Sequence, residues 1–237
     1  PFGPGHPRFN ESAQNFRNIL SLMAEVKVGR RKTMPVKVPV AVQTNAAGIP
    51  SQDFKKGAIK IIAIGASAGG PEEIRNILSN LPSTLDLPIL VVQHIDPSFA
   101  QGFCEWLSLS SKLSVRLARD GESLTPGTVY FPPGDQHLGL KNENTILVSQ
   151  SPPEKGLRPS VNFMFRTVNA CFGRNAMAIL LSGMGSDGAQ EMLTLRNAGA
   201  LTIAQDQNGC LIHGMPGEAI KIGAAVKVLN TSEIIRE

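Results

Sequence analysis

Short, uninterrupted apolar runs alternate with segments whose apolar residues recur at helical spacing over most of the chain. Lys60-Ile61-Ile62-Ala63-Ile64-Gly65 is apolar at consecutive positions and stops in small residues. Such a run has both faces covered, as in a parallel strand between helices. Pro71-Glu72-Glu73-Ile74 then opens a helix. Proline's fixed φ suits a first turn, and the acids oppose the positive end of the helix dipole. The alternation continues with a strand over Pro88–Gln93, a helix over 98–109 and a strand over Leu113–Ala118. Further on it predicts a helix over 159–172, a strand over Ala176–Leu181, a helix over 188–197 and a strand over Leu201–Ala204. A helix over Pro216–Ile222, a strand over Ala225–Leu229 and a short last helix complete it.

Two stretches break this rhythm. Thr128–Phe131, His137–Lys141 and Thr145–Ser149 are short and joined by turn residues, with Asn142-Glu143-Asn144 between the last two. They predict a β-hairpin or small antiparallel edge. The front differs more. Residues 1–10 hold three prolines and two glycines, which predicts disorder. Phe16, Ile19, Leu20 and Met23 share one face of a helix over 14–28. Residues 33–57, with Pro35, Pro39 and Pro50, read as a linker. The domain boundary falls near residue 58. Strands alternating with helices beyond it predict an α/β fold with a doubly wound, mainly parallel sheet and a small antiparallel hairpin.

Composition adds bounds. The 237 residues are 42% apolar, enough for one large α/β domain and a further segment. No apolar run approaches the ~18 residues of a membrane span, and no apolar signal core opens the chain, which predicts no membrane insertion and a cytoplasmic setting. The start at Pro1 rather than Met predicts a fragment or processed product. Cys104, Cys171 and Cys210 are odd in number and far apart, against a disulfide framework or zinc site and in keeping with a reducing compartment. Net charge is +4, unevenly placed: residues 1–60 carry ten Lys/Arg against three Asp/Glu, and the rest carry thirteen against sixteen. The basic excess belongs to the front alone. One Trp, one Tyr and no recognisable motif argue against a nucleic-acid partner.

Candidate chemistry sits at three strand ends, where doubly wound sheets place their sites. Gly65-Ala66-Ser67-Ala68-Gly69 matches G-x-S-x-G between strand and helix. A sharp turn there projects a serine hydroxyl, and the following helix offers unpaired N–H groups to an oxyanion. Phosphate binding competes, although the spacing is wrong for G-x-G-x-x-G and no Lys-Ser/Thr pair follows. A purely structural turn also stays open. His94 directly follows the strand Val91-Val92-Gln93 and could serve as base. His137 and His213 are rivals, and His6 lies in the front segment. Asp187, in Gly183-Met184-Gly185-Ser186-Asp187-Gly188, reads as a helix N-cap, as the partner of the base, or as both. Asp96, Asp120, Asp135 and Asp206 are alternatives. No residue spacing calls for a metal or cofactor.

Several segments, in order over about 58–237, resemble the catalytic domain of the chemotaxis protein-glutamate methylesterase (CheB) family. They include Ile64–Pro71, Val91–His94, Leu181–Ala189, Pro126–Tyr130, Pro133–Leu138, Arg158–Val161, Ala204–Asp206 and Gly214–Pro216. The resemblance implies a serine hydrolase that removes methyl esters from receptor glutamates, releasing methanol, and that deamidates glutamine at some receptor sites. It implies a catalytic Ser67, His94 and Asp187. The oxyanion and substrate contacts fall at Ala68, Gly69, Met184 and Gly185. It also implies partners: methylated chemotaxis receptors, and an upstream receiver domain phosphorylated by a histidine kinase in a two-component pathway. Residues 1–57 are too short for a receiver and would be its last helix and linker. Two positions depart from the family pattern: Ala68 stands where threonine is usual, and Asn162 where aspartate is favoured. A nucleotide-binding α/β domain and a non-catalytic receptor-binding module are the alternative functions.

Overall fold

A computed structural model describes residues 59–237. The helix read over 14–28 and the linker over 33–57 lie outside the described residues. Seven strands form one parallel sheet: β1 (Ile61–Ala66), β2 (Ile89–Gln93), β3 (Ser114–Leu117), β4 (Thr128–Phe131), β7 (Ala176–Leu180), β8 (Leu201–Gln205) and β9 (Lys227–Leu229). Their order is β3-β4-β2-β1-β7-β8-β9. The chain builds outward from β1 to one side, then crosses back to β7 and builds to the other. The strand order reverses between β1 and β7, the place where doubly wound sheets set their sites.

Side chains of successive strand residues go to opposite faces, and each face has its own helices. On one face Ile61, Ala63, Leu90, Ala178 and Leu180 pack against α3 (Val161–Phe172), α4 (Ala189–Asn197) and α5 (Met215–Lys221). On the other, Ile62, Ile64, Val91, Ile179 and Ile203 pack against α1 (Gly70–Asn80), α2 (Ala100–Ser108) and α6 (Thr231–Ile234). Every residue of β1, β2, β7 and β8 is buried, which explains their unbroken apolar runs. Cys104 belongs to the second core, and burial pushes its thiol up to about 12.

The hairpin is smaller than the turn pattern predicts. Only β5 (His137–Asn142) and β6 (Thr145–Ser149) pair antiparallel, with the Asn142 side chain accepting the Asn144 N–H at the turn. Thr128–Phe131 instead lies parallel between β2 and β3. Its four residues are all buried, so its place was set by two-sided burial and not by the turns around it. The hairpin packs on α3, where Thr167 Oγ1 accepts the Leu140 N–H at 3.2 Å. Among the described residues no helix is long and apolar enough to cross a membrane.

Candidate active site

Ser67 follows β1 directly, and His94 follows β2. Ala66 and Gln93 are register partners, so the two candidates stand opposite each other on neighbouring strands, roughly 4.8 Å apart along the pairing direction. The His94 N–H donates to Ala66 O at 3.0 Å. From the β7 side, Ser67 N–H donates to Ser182 O at 3.0 Å and Leu181 N–H to Gly65 O at 2.9 Å. The ladder thus continues past the strand ends and fixes the serine turn on both sides. Gly69 closes that turn at φ +86°, a left-handed conformation that a side chain resists. Gly183 also has to be small: a Cβ there would come within 2.9 Å of Ser67 Cβ.

Asp187 arrives from the loop after β7. Its Oδ2 lies 3.0 Å from His94 Nε2. As a capping residue it behaves differently from the sequence reading. The N-cap of α4, which follows it, is Gly188. Asp187 instead faces the start of α3: its Oδ2 accepts Val161 N–H at 2.7 Å, and its Oδ1 accepts Asn162 N–H at 3.1 Å and Ser160 Oγ–H at 3.0 Å. Burial pushes the carboxyl up, but the bonds from His94, Val161 and Asn162 outweigh it and hold it below the usual carboxylate range. The ionised acid fixes the imidazole with Nε2–H toward Asp187, leaving Nδ1 as the ring's acceptor.

The rivals have other work. His137 is fully buried; its Nδ1 accepts Ser160 N–H, its Nε2 faces Pro152 O, and its ring stacks on Phe163. His213 bridges to Gly183 by its backbone, with its ring against Gly217. Asp96 caps the turn at Pro97–Phe99, Asp120 pairs with Lys141, Asp135 with Arg158, and Asp206 accepts Gly209 N–H. His6 lies outside the described residues.

Ala68, Met184 and Gly185 are exposed and Gly69 is half-buried, with Met184 at 71% exposure. Asn162 keeps a place in the site: its side-chain oxygen accepts Gly188 N–H at 3.1 Å. An amide there does an acceptor's job without setting a second negative charge beside Asp187. Sequence reasoning missed Ser160, Gln93 and Ser182. The available signal was a polar residue at a buried position: Gln93 and Ser182 end apolar strands, and Ser160 caps α3.

Similarity to known proteins runs over most of the chain. The family model described as CheB methylesterase matches residues 62–237. Protein-glutamate methylesterase/protein-glutamine glutaminase 4 of Geobacter metallireducens is 44% identical over 99% of this chain and 67% of its own length. The protein-glutamate methylesterase/protein-glutamine glutaminase of Nitrosospira multiformis is 41% identical, over 99% of this chain and 65% of its own length. The crystal structure of the Thermotoga maritima CheB methylesterase catalytic domain superposes with a TM-score of 0.73 at 37% identity, covering 75% of this chain and 96% of that one. The chain spans about two thirds of the length of these curated relatives. On the match over residues 62–237 and the similarity of these relatives, the chain belongs to the CheB methylesterase family.

Proposed function

We propose that this chain hydrolyses methyl esters of glutamate side chains on chemotaxis receptors, with Ser67 as nucleophile, His94 as base and Asp187 as its partner. The observation that carries the proposal is the His94–Asp187 hydrogen bond of 3.0 Å at the end of the strand beside the Ser67 turn. Names of the relatives, which join methylesterase to glutaminase, support the same acyl chemistry on two leaving groups.

Ser67 Oγ attacks the ester carbonyl while His94 Nδ1 takes its proton. Asp187 holds the imidazole's other edge and stabilises the cation that forms. The N–H groups of Ala68 and Gly69, with those near Met184 and Gly185, receive the oxyanion. Collapse breaks the bond to methoxide, which leaves as methanol with the proton from His94. Water, giving a proton to His94, then attacks the acyl-serine; glutamate leaves and Ser67 recovers its proton. With a glutamine substrate the same route releases ammonia.

The substrate side chain stands on the cytoplasmic helical region of a receptor, so catalysis takes place in the cytoplasm on a protein surface. Residues 58–237 are the catalytic domain, and 1–57 link it to a receiver domain whose phosphorylation by a histidine kinase regulates it. The greater length of the relatives supports that organisation.

Methanol release from methylated receptor tests the activity directly. Ser67→Ala should abolish both release and labelling by a fluorophosphonate. Release at the wild-type rate by Ser67→Ala would remove the nucleophile assignment. Labelling of wild type at Ser67 without any methanol release would favour a different acyl substrate.

A further inference from the structure

We infer that Gln93 and Ser182 are positioning residues that aim the oxyanion-binding N–H groups of the Ser67 turn. This deepens the hydrolase reading above and rests on Ser67 being its nucleophile. Gln93 is 3% exposed and Ser182 is fully buried, yet both are polar and both turn toward the same short stretch of backbone. Gln93 Nε2 donates to Ser67 O at 2.9 Å, sharing that oxygen with the Gly70 N–H at 2.8 Å, and to His94 O at 3.0 Å. One amide nitrogen therefore ties the main chain of the nucleophile to that of the base. Ser182 Oγ accepts the Ile212 N–H at 3.0 Å and faces two carbonyl oxygens, Ala68 O at 2.8 Å and Ile212 O at 3.2 Å, the nearer of which takes its single proton.

Peptide planarity turns these grips into aim. In a trans peptide the C=O of one residue and the N–H of the next point in opposite directions. Holding Ser67 O toward buried Gln93 sends the Ala68 N–H away from it, and holding Ala68 O toward buried Ser182 sends the Gly69 N–H away from that. Among the described residues neither N–H donates to a backbone acceptor. Within that part of the chain both are open to an oxygen arriving at the Ser67 turn.

Gln93 keeps this orientation at a cost. Its Oε1 is buried and, among the described residues, has no hydrogen-bond partner. Buried polar atoms are ordinarily paired. Turning the amide over would set Oε1 against two carbonyl oxygens, so the donor edge must face the turn. Gly70 makes room for the orphaned oxygen, which a Cβ at that position would strike.

The test compares the wild-type chain with Gln93→Met, which keeps the length but not the donors, and with Ser182→Ala. Steady-state methanol release from methylated receptor, its pH profile and thermal melting are measured for each. Outright loss of an oxyanion donor typically costs 10²–10³-fold in kcat. Loosening one should cost about tenfold to a hundredfold, on the same scale. KM and the midpoint of the pH–rate profile should stay at their wild-type values. A purely structural role would lower the melting temperature without that selective loss of kcat. A folded variant with kcat within about twofold of wild type, a loss confined to KM, or a moved titration would each overturn the inference. Should Gln93→Met melt below the assay temperature, Ser182→Ala decides, its melting curve separating the loss of the Ile212 N–H contact from the loss of kcat. If wild type itself neither releases methanol nor labels at Ser67, the hydrolase reading fails and this inference goes with it; activity in wild type with unaffected variants overturns the inference alone.

Discussion

At Asp187, four hydrogen bonds converge on one carboxylate, two of them from the first residues of α3 and one from its N-cap, Ser160. Acceptance is what the position demands, and asparagine can meet only part of it because its NH2 would face donors. Asp187→Asn should lower kcat by roughly 10³–10⁴-fold, the scale seen when a triad aspartate loses its charge. Stability follows the same residue. Its folded pKa lies below the ordinary value, so the ionised group stabilises the fold fully above about pH 4, the unfolded carboxylate range, and loses that contribution as pH falls through the lowered folded value. Melting curves taken downward from pH 6 should therefore show the wild type's margin over Asp187→Asn shrinking only in strong acid. A margin that does not change with pH would mean the carboxylate is not the source. Ser67, His94 and Asp187 could be singled out in the sequence because each follows an apolar strand or sits in a glycine-rich turn. Ser160, Gln93 and Ser182 left only the weaker mark of a polar residue at a buried position, because Gln93 and Ser182 bind main-chain oxygens and Ser160 binds Asp187 from a helix cap, so no spacing between residue types marks them.

Between elements, the decisive contact is Val161 at the start of α3. Its side chain fills a slot whose floor is two glycines: a Cβ on Gly65 of β1 would strike its methyls, and one on Gly188 would come within 2.6 Å of Cγ1. The helix start that binds Asp187 is thereby seated against the strand that carries Ser67. Gly65→Ala should cost about 1–3 kcal/mol by overpacking and lower the melting temperature. It should also lower kcat, since pushing Val161 outward draws two of the carboxylate's donors away. Adding Val161→Ala should restore part of both losses, which a double-mutant cycle measures as coupling; strictly additive losses would disprove the slot. The sequence made the strand and helix alternation plain, because two-sided burial writes an unbroken apolar run. It did not show which run pairs with which. Thr128–Phe131 read as part of an antiparallel edge because turns surround it, and only the layers above and below it reveal a parallel place in the main sheet.

For the molecule as a whole, charge and chemistry separate along the chain. The basic excess lies within residues 1–60, and the carboxylates and hydroxyls of the site lie beyond it. If the front residues only tether the catalytic domain, a chain beginning at Lys56 should keep its full kcat and melt within a few degrees of the 237-residue chain. Loss of folding on that deletion would mean the front is part of the core. The sheet order carries one more consequence. Ser67, His94 and Asp187 hang from β1, β2 and β7, the three middle strands, whereas the outermost strands β3 and β9 are only partly covered. Margins of this kind can open and reclose while the middle stays shut. Amide protons at Ser114–Leu117 and Lys227–Leu229 can therefore trade with solvent without interrupting turnover, whereas parting β1 from either neighbour dissolves the site and the core in one event.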